Sequence, residues 1–228
     1  MPELIHAYDQ QGTIVETGTK RDILNKQREY AITNGESPFA VPSVLLLLTH
    51  PEDGFFSVQR SNRREDPLLW SETASGHIAI DEDPNTALLR EGREEINVDI
   101  IIAGSLEEYR ARLRLDNLID HAVVRPIDFR PWMGAYRIDR ETHARWMKRT
   151  RTSVYAGVYR GEVQCSSEGG GEDDSNGLGE TLAVQKFKKD DLVARIAAGD
   201  PRFRHQLTMA VRDYHAFIEE PLEQPTGK

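Results

Sequence analysis

Between Pro84 and Ile96 the chain places Glu91, Glu94 and Glu95 at spacings that, on a helix, put three carboxylates on one face. The helix itself is well marked. Asp83 offers an N-cap acceptor, Pro84 suits the first helical position, and Asn97 can adopt the left-handed geometry that ends a helix. Ala87, Leu88 and Ile96 give it an apolar side that has to pack on something else. Like charges at these spacings repel, so a fold that keeps them needs compensation. Arg90 and Arg93 supply part of it, while Glu82, just ahead of the helix, adds to the negative charge. A hard divalent cation with oxygen ligands can neutralise the rest; magnesium suits such donors best, with manganese as the alternative. Spacing alone leaves a second reading open, a solvated acidic helix face.

Around this helix the pattern is strand-rich. Residues 3 to 17 suggest a short hairpin, and a helix from Arg21 towards Ile32 ends at Asn34-Gly35. Ala40 to His50 and Phe55 to Arg60 read as a core hairpin turned by Pro51-Glu52-Asp53-Gly54. Trp70 to Ile80 holds strand-like pieces broken at Gly76. Val98 to Phe129 reads as two or three strands, followed by one near Met133 to Ile138. A short helix is expected over Asp139 to Lys148 and a long strand over Ser153 to Gln164. Ser166 to Gly179 has the composition of a mobile loop. A strand at Thr181 to Phe187 and helices near Asp190 to Ala198 and Phe203 to Phe217 complete the chain. Strands with helices at intervals predict an α/β fold in which a mixed sheet packs between helices.

Composition removes several function classes. A formal net charge of -9 disfavours a protein that holds nucleic acid through its phosphates, so no nucleic-acid partner is expected. A small phosphorylated ligand stays compatible, because a bound metal can reverse the local field. The longest clear apolar run, Val44 to Leu48, is strand-sized, and no membrane partner is expected. The N-terminal residues do not read as a secretory signal, and Cys165 is the lone cysteine, so an intrachain disulfide is excluded. The cytoplasm is the expected location.

The order Gly76, five residues, Glu82, seven residues, then Arg90-Glu91, two residues, Glu94-Glu95 resembles the Nudix box. Six of the seven fixed residues of that box are present, and Val98 supplies its closing aliphatic. A match of this kind arises by chance in a chain this long roughly once in ten thousand times. Two positions depart from the pattern. Gly92 stands where an aliphatic belongs, at a cost of about 1 kcal/mol in a helix interior, and Asn97 replaces the closing glycine.

The resemblance implies a Nudix-like α/β/α sandwich with a mixed sheet, preceded by an N-terminal hairpin and helix. The corresponding boundaries are an extension over 1–38, a hydrolase domain over 39–220 and a tail over 221–228. It implies magnesium-dependent hydrolysis of a diphosphate linkage in a small molecule, a nucleoside diphosphate derivative first. Glu91, Glu94 and Glu95 would bind metal, and Glu94 or Glu95 is the nearest catalytic base. Gly76 would form the turn into the loop, and Arg90 and Glu82 would fix loop and helix by salt bridges. Family analogy also allows a homodimer.

Residues near the box add candidates. Arg60, Arg63 and Arg64 could hold substrate phosphates, and Glu162 and Glu180 are candidates for an additional acid. His77 is expected to have a structural or surface role and Trp70 to belong to the core. The runs Gln59-Arg60-Ser61, Leu69-Trp70-Ser71 and Ser75-Gly76-His77 are similar to isopentenyl diphosphate isomerases, as are Gly18 and Arg21 in the N-terminal segment. Those isomerases carry a catalytic cysteine where this chain has Ser75, a poor replacement in proton transfer, so hydrolysis in an isomerase-like branch is the preferred reading. A non-catalytic Nudix-fold ligand sensor is the alternative from another class. RNA decapping is weakened by the acidic balance and the lack of a basic stripe.

Overall fold

The computed structural model describes residues 2–52, 54–61, 66–115, 117–139, 142–164 and 181–219, with side chains to residue 215. Strands β1 (Leu4–Tyr8) and β2 (Ile14–Thr19) form an antiparallel hairpin, as expected. Thr19 then caps α1 (Lys20–Asn34) by accepting from the Asp22 N–H, and Gly35, at φ 89°, ends it. This N-terminal unit is joined to the rest: Tyr8 bridges Ala40, and Gln27 of α1 donates to the carbonyls of Phe39 and Arg149.

The main sheet has eight strands among the described residues: β3 (Val41–His50), β4 (Gly54–Arg60), β5 (Trp70–Ser71), β6 (Ala74–His77), β7 (Ile100–Ile102), β8 (Ala122–Ile138), β9 (Arg145–Val158) and β10 (Thr181–Phe187). They run β10-β4-β3-β9-β8-β7, with β5 on β4 and β6 on β3. The pairs β3·β9 and β7·β8 are parallel and the others antiparallel, so the sheet is mixed. Its centre explains the unbroken apolar run of β3. Val44, Leu46 and Leu48 point to one face and meet Ala87, Leu88 and Ile96 of α2 (Pro84–Ile96). Leu45 and Leu47 point to the other face and meet Leu192 of α4 (Lys189–Ala197) and Leu207, Ala210 and Val211 of α5 (His205–Glu219). A strand buried on both faces loses its alternation. The result is the expected α/β/α sandwich, and no helix among the described residues is long and apolar enough to cross a membrane.

Four local expectations need correction. The β3–β4 hairpin is short, pairing only Thr49 with Phe55 and His50 with Gly54, because β6 takes that edge of β3 from Ser43 to Leu46. Gly76 does not break the strand; it lies within β6, opposite Val44. The region after Val98 hides a helix, α3 (Leu106–Leu115), whose start is marked by reciprocal bonds: Glu108 N–H to Ser105 Oγ and Gly104 N–H to Glu108 Oε2. Asp139 to Lys148 is not a helix. Asp139 accepts from the N–H and hydroxyl of Thr142, and β9 begins at Arg145, where it pairs with Ile138. The inward residues Trp146, Lys148, Thr150 and Thr152 do alternate, but three of the four are polar, which concealed the period of two.

Candidate active site

The cap residues of α2 act as the sequence suggests. Asp83 accepts from the N–H groups of Asn85 and Thr86 at 2.8 and 2.9 Å, and Asn97 sits at φ 52°, ψ 44°. The helix is thereby held with its glutamates against β6. Glu91 is buried, and its carboxylate passes so close to Gly76 that a Cβ there would lie 1.7 Å from Glu91 Oε1. Only glycine fits, and that close approach, not a turn, is its structural reason. Gly92, the departure from the box, is also accounted for: Ile100 fills the space, and a Cβ on Gly92 would meet its Cδ1 at 2.4 Å.

Arg90 ties the pieces together. Its Nε and Nη2 donate to Glu82 at 2.7 and 3.0 Å, Nη2 also reaches the His77 carbonyl at 2.9 Å, and Nη1 bridges Glu91 (2.6 Å) and Glu94 (3.1 Å). Glu82 accepts in addition from the Ala79 N–H, which pins the loop before the helix. Glu95 Oε2 accepts from the Ser75 N–H at 2.8 Å. Burial pushes the Glu91 carboxyl up to about 7, although Arg90 pulls the other way. The same ion pairs raise Arg90 above its usual value.

These groups line a cavity of about 860 Å³ that also admits Lys20 and Leu24 of α1, Arg60 of β4, Arg137 of β8, Trp146 and Lys148 of β9, and Arg204 and Gln206 at the start of α5. His77 forms the seam between its acidic and basic linings. The imidazole Nε2 lies 3.2 Å from Lys148 Nζ. Burial and the nearby cations Lys148, Lys20 and Arg137 hold its pKa well below the usual imidazole range, in keeping with a structural role. Trp70 packs edge-on against Phe187 beside the second core cluster, as expected for a core residue.

Of the other candidates, Arg60 reaches the cavity. Glu162 does not; it is exposed, pairs with Lys186 at 3.2 Å, and stands outside the lining. Arg63, Arg64, Glu180, Cys165 and the Ser166–Gly179 segment lie outside the described residues. The structure adds Lys20, Arg137, Lys148, Arg204 and Gln206, which no local motif announced. The one available signal was the strand-like alternation that carries Lys148 inward.

A mixed-sheet sandwich that presents a glycine, an arginine and a set of glutamates to one cavity in this order defines a Nudix-type pyrophosphohydrolase. The NUDIX domain family model matches residues 40–159, more than half of the 228-residue chain, and the chain belongs to that family. No curated protein matches it. Among solved structures, DR0079 from Deinococcus radiodurans is 17% identical with a TM-score of 0.58, the alignment covering 92% of this chain and 98% of that one. The MutT protein from Methanosarcina mazei Go1 is 15% identical with a TM-score of 0.46, covering 81% and 96%.

Proposed function

We propose that this enzyme cleaves a diphosphate linkage in a nucleoside diphosphate derivative, using magnesium held by Glu91, Glu94 and Glu95. The observation that carries the reading is the cradle at Gly76, a strand position shaped to admit the buried carboxylate of Glu91. A carboxylate raised to about 7 by burial is stabilised in its charged form by a nearby cation. All three glutamates line the one cavity and offer the hard oxygen donors that magnesium takes. Among the described residues the three do not converge on one point, and Arg90 Nη1 bonds both Glu91 and Glu94, so taking up an ion involves loosening one of those bonds.

Magnesium, when bound, screens the phosphate oxygens and lowers the pKa of the attacking water. Of the two candidate bases Glu94 is the better placed, since its side chain is half exposed whereas Glu95 is already committed to the Ser75 N–H. Arg60 donates to substrate phosphate from the rim, and Glu82 and Arg90 keep the loop and helix in place. The extension over 1–38 belongs to the working site in this reading, because Lys20 and Leu24 line the cavity; the hydrolase domain spans 39–220 and the tail 221–228. The isomerase-like branch is retained as ancestry, not activity. Ser75 stands where a thiol is needed, and hydrolysis needs no acid there.

Product release across a panel of nucleotide and isoprenoid diphosphates, with and without magnesium, tests the proposal. Glu94→Gln is expected to lower turnover by about 10²- to 10⁴-fold. Metal-independent turnover, or an unchanged rate in Glu94→Gln, would overturn it. So would tight binding of one compound with no turnover of any, which would favour the sensor.

A further inference from the structure

The basic lining of the cavity is unusual for a chain of net charge -9. Arg137, Lys148 and Arg204 are each more than nine-tenths buried, at 2%, 8% and 5% relative exposure, yet all three line the cavity. Burying cations is costly and is not an efficient route to stability. Their placement is braced from behind. Arg204 Nε donates to Asp66 at 2.7 Å and Nη1 to Glu72 at 3.1 Å, while Arg137 Nε lies 3.6 Å from the same Asp66 carboxylate. Gln206 accepts from Arg137 Nη2. Asp66 and Glu72 stand outside the cavity lining, so the anions sit behind and the cations face the space. A second observation points to a ligand that brings a hydrogen-bond acceptor. Trp146, 2% exposed and also part of the lining, keeps its indole Nε1 without a hydrogen-bond acceptor. A buried N–H left without an acceptor is unfavourable.

We propose that Arg137, Lys148 and Arg204, with Arg60 at the rim, form an anion subsite for a phosphoryl group of the substrate other than the one attacked. The substrate class is then a diphosphate compound that carries a further phosphate. The identity of that compound as a substrate rests on the hydrolase reading; the subsite rests on this lining alone. The charge arrangement separates the two regions. The guanidinium that serves the α2 carboxylates is Arg90, whereas Arg137 and Arg204 are fixed by Asp66 and Glu72. A tetrahedral anion with several acceptor oxygens suits this set of forked and point donors.

Titration calorimetry with inorganic phosphate, in chelator and without divalent metal, tests the subsite directly. Wild type is expected to bind, Lys148→Met to bind at least about tenfold more weakly, Lys148→Arg to recover part of the loss, and Glu94→Gln to bind as wild type. Should Lys148→Met fail to fold, Arg60→Gln at the rim carries the same test with a smaller loss. Absence of metal-free binding, or equal binding by wild type and both variants, would overturn the inference. Binding that needs magnesium and is lost in Glu94→Gln would also overturn it, by assigning the phosphate to the carboxylates. Inorganic triphosphate separates two sources of the group. A gain over phosphate that Lys148→Met removes marks a phosphate continuing the chain; equal affinity marks a monoester elsewhere in the molecule. Phosphate binding without turnover of any diphosphate would keep the subsite and remove the hydrolase reading.

Discussion

The cavity has two linings built on opposite principles. The acidic one comes chiefly from a single stretch, Gly76 to Glu95, in which one helix, the strand before it and the loop that joins them supply the groups. The basic one is assembled from β4, β8, β9 and the start of α5, so residues as far apart as Arg60 and Arg204 share one surface. The carboxylates are held by short-range contacts, most of them to Arg90. The buried cations are held by a network that exists only once the sheet and the C-terminal helix have come together. A local site can be read from spacing; a site made by tertiary assembly depends on the fold for its existence and its stability.

That difference predicts where each lining breaks. Arg204→Met should be the most damaging change to the fold, since it leaves Asp66 and Glu72 buried without their main partner, at a cost of about 3 to 5 kcal/mol. Urea unfolding measures it, with Arg60→Gln at the half-buried rim as the comparison, where less than about 1 kcal/mol is expected. A loss below about 1 kcal/mol in Arg204→Met would mean that the network does not bind the C-terminal helix to the sheet.

Gly76→Ala is the corresponding break in the acidic lining, and its effect should fall on chemistry. A methyl at that position forces Glu91 aside, and a displacement of about 1 Å at a reacting centre lowers turnover by about 10²-fold. Phosphate affinity at the basic lining should not change. If both fall together, the two linings are one unit and the comparison fails.

The linings also differ in what the sequence revealed of them. For α2, the cap at Asp83, the proline after it, the left-handed Asn97 and the spacing of Glu91, Glu94 and Glu95 are all local, and each appears in the structure where it was expected. Lys148 reads as part of a helix in the sequence because its strand turns polar side chains inward, a pattern that core formation alone does not produce. Arg137 and Arg204 carry no local signal at all, since their partners lie 71 or more positions away in the case of Asp66. Helix α3 is faint in the sequence for a different reason. Its apolar residues are sparse, and only the Ser105-to-Glu108 cap marks its start.

Acid should weaken the network from the carboxylate side. Burial pushes Asp66 and Glu72 up, but Arg137 and Arg204 outweigh it, and both carboxyls end below their usual range. A depressed folded pKa contributes stability that is fully present above the unfolded value and is lost as pH falls through the folded one. Stability should therefore decline below about pH 4, the ordinary carboxylate region. Thermal melts from pH 6 to pH 2.5 follow this. Asp66→Asn should start from a lower melting temperature and show a shallower decline, because it no longer binds a proton on unfolding; an unchanged slope would remove Asp66 from the account.

The smallest effect tests whether support from behind the sheet reaches either lining. Ser105 accepts from the Glu108 N–H at 3.1 Å at the start of α3, and Tyr109 of that helix packs with Val123 of β8 and Val158 of β9. Removing such a cap by Ser105→Ala is expected to lower stability by about 1 kcal/mol. Strands β8 and β9 also carry Arg137 and Lys148, so a slackened α3 could in principle loosen the basic lining while leaving the Gly76–Glu91 contact alone. The bracing by Asp66 and Gln206 argues otherwise, because it fixes Arg137 from the side of α5 and the β4–β5 connection. The expectation is a lower unfolding midpoint with phosphate affinity and turnover both unchanged. A selective loss of phosphate affinity would instead make α3 part of the basic lining's support and extend the assembled region across the whole sheet.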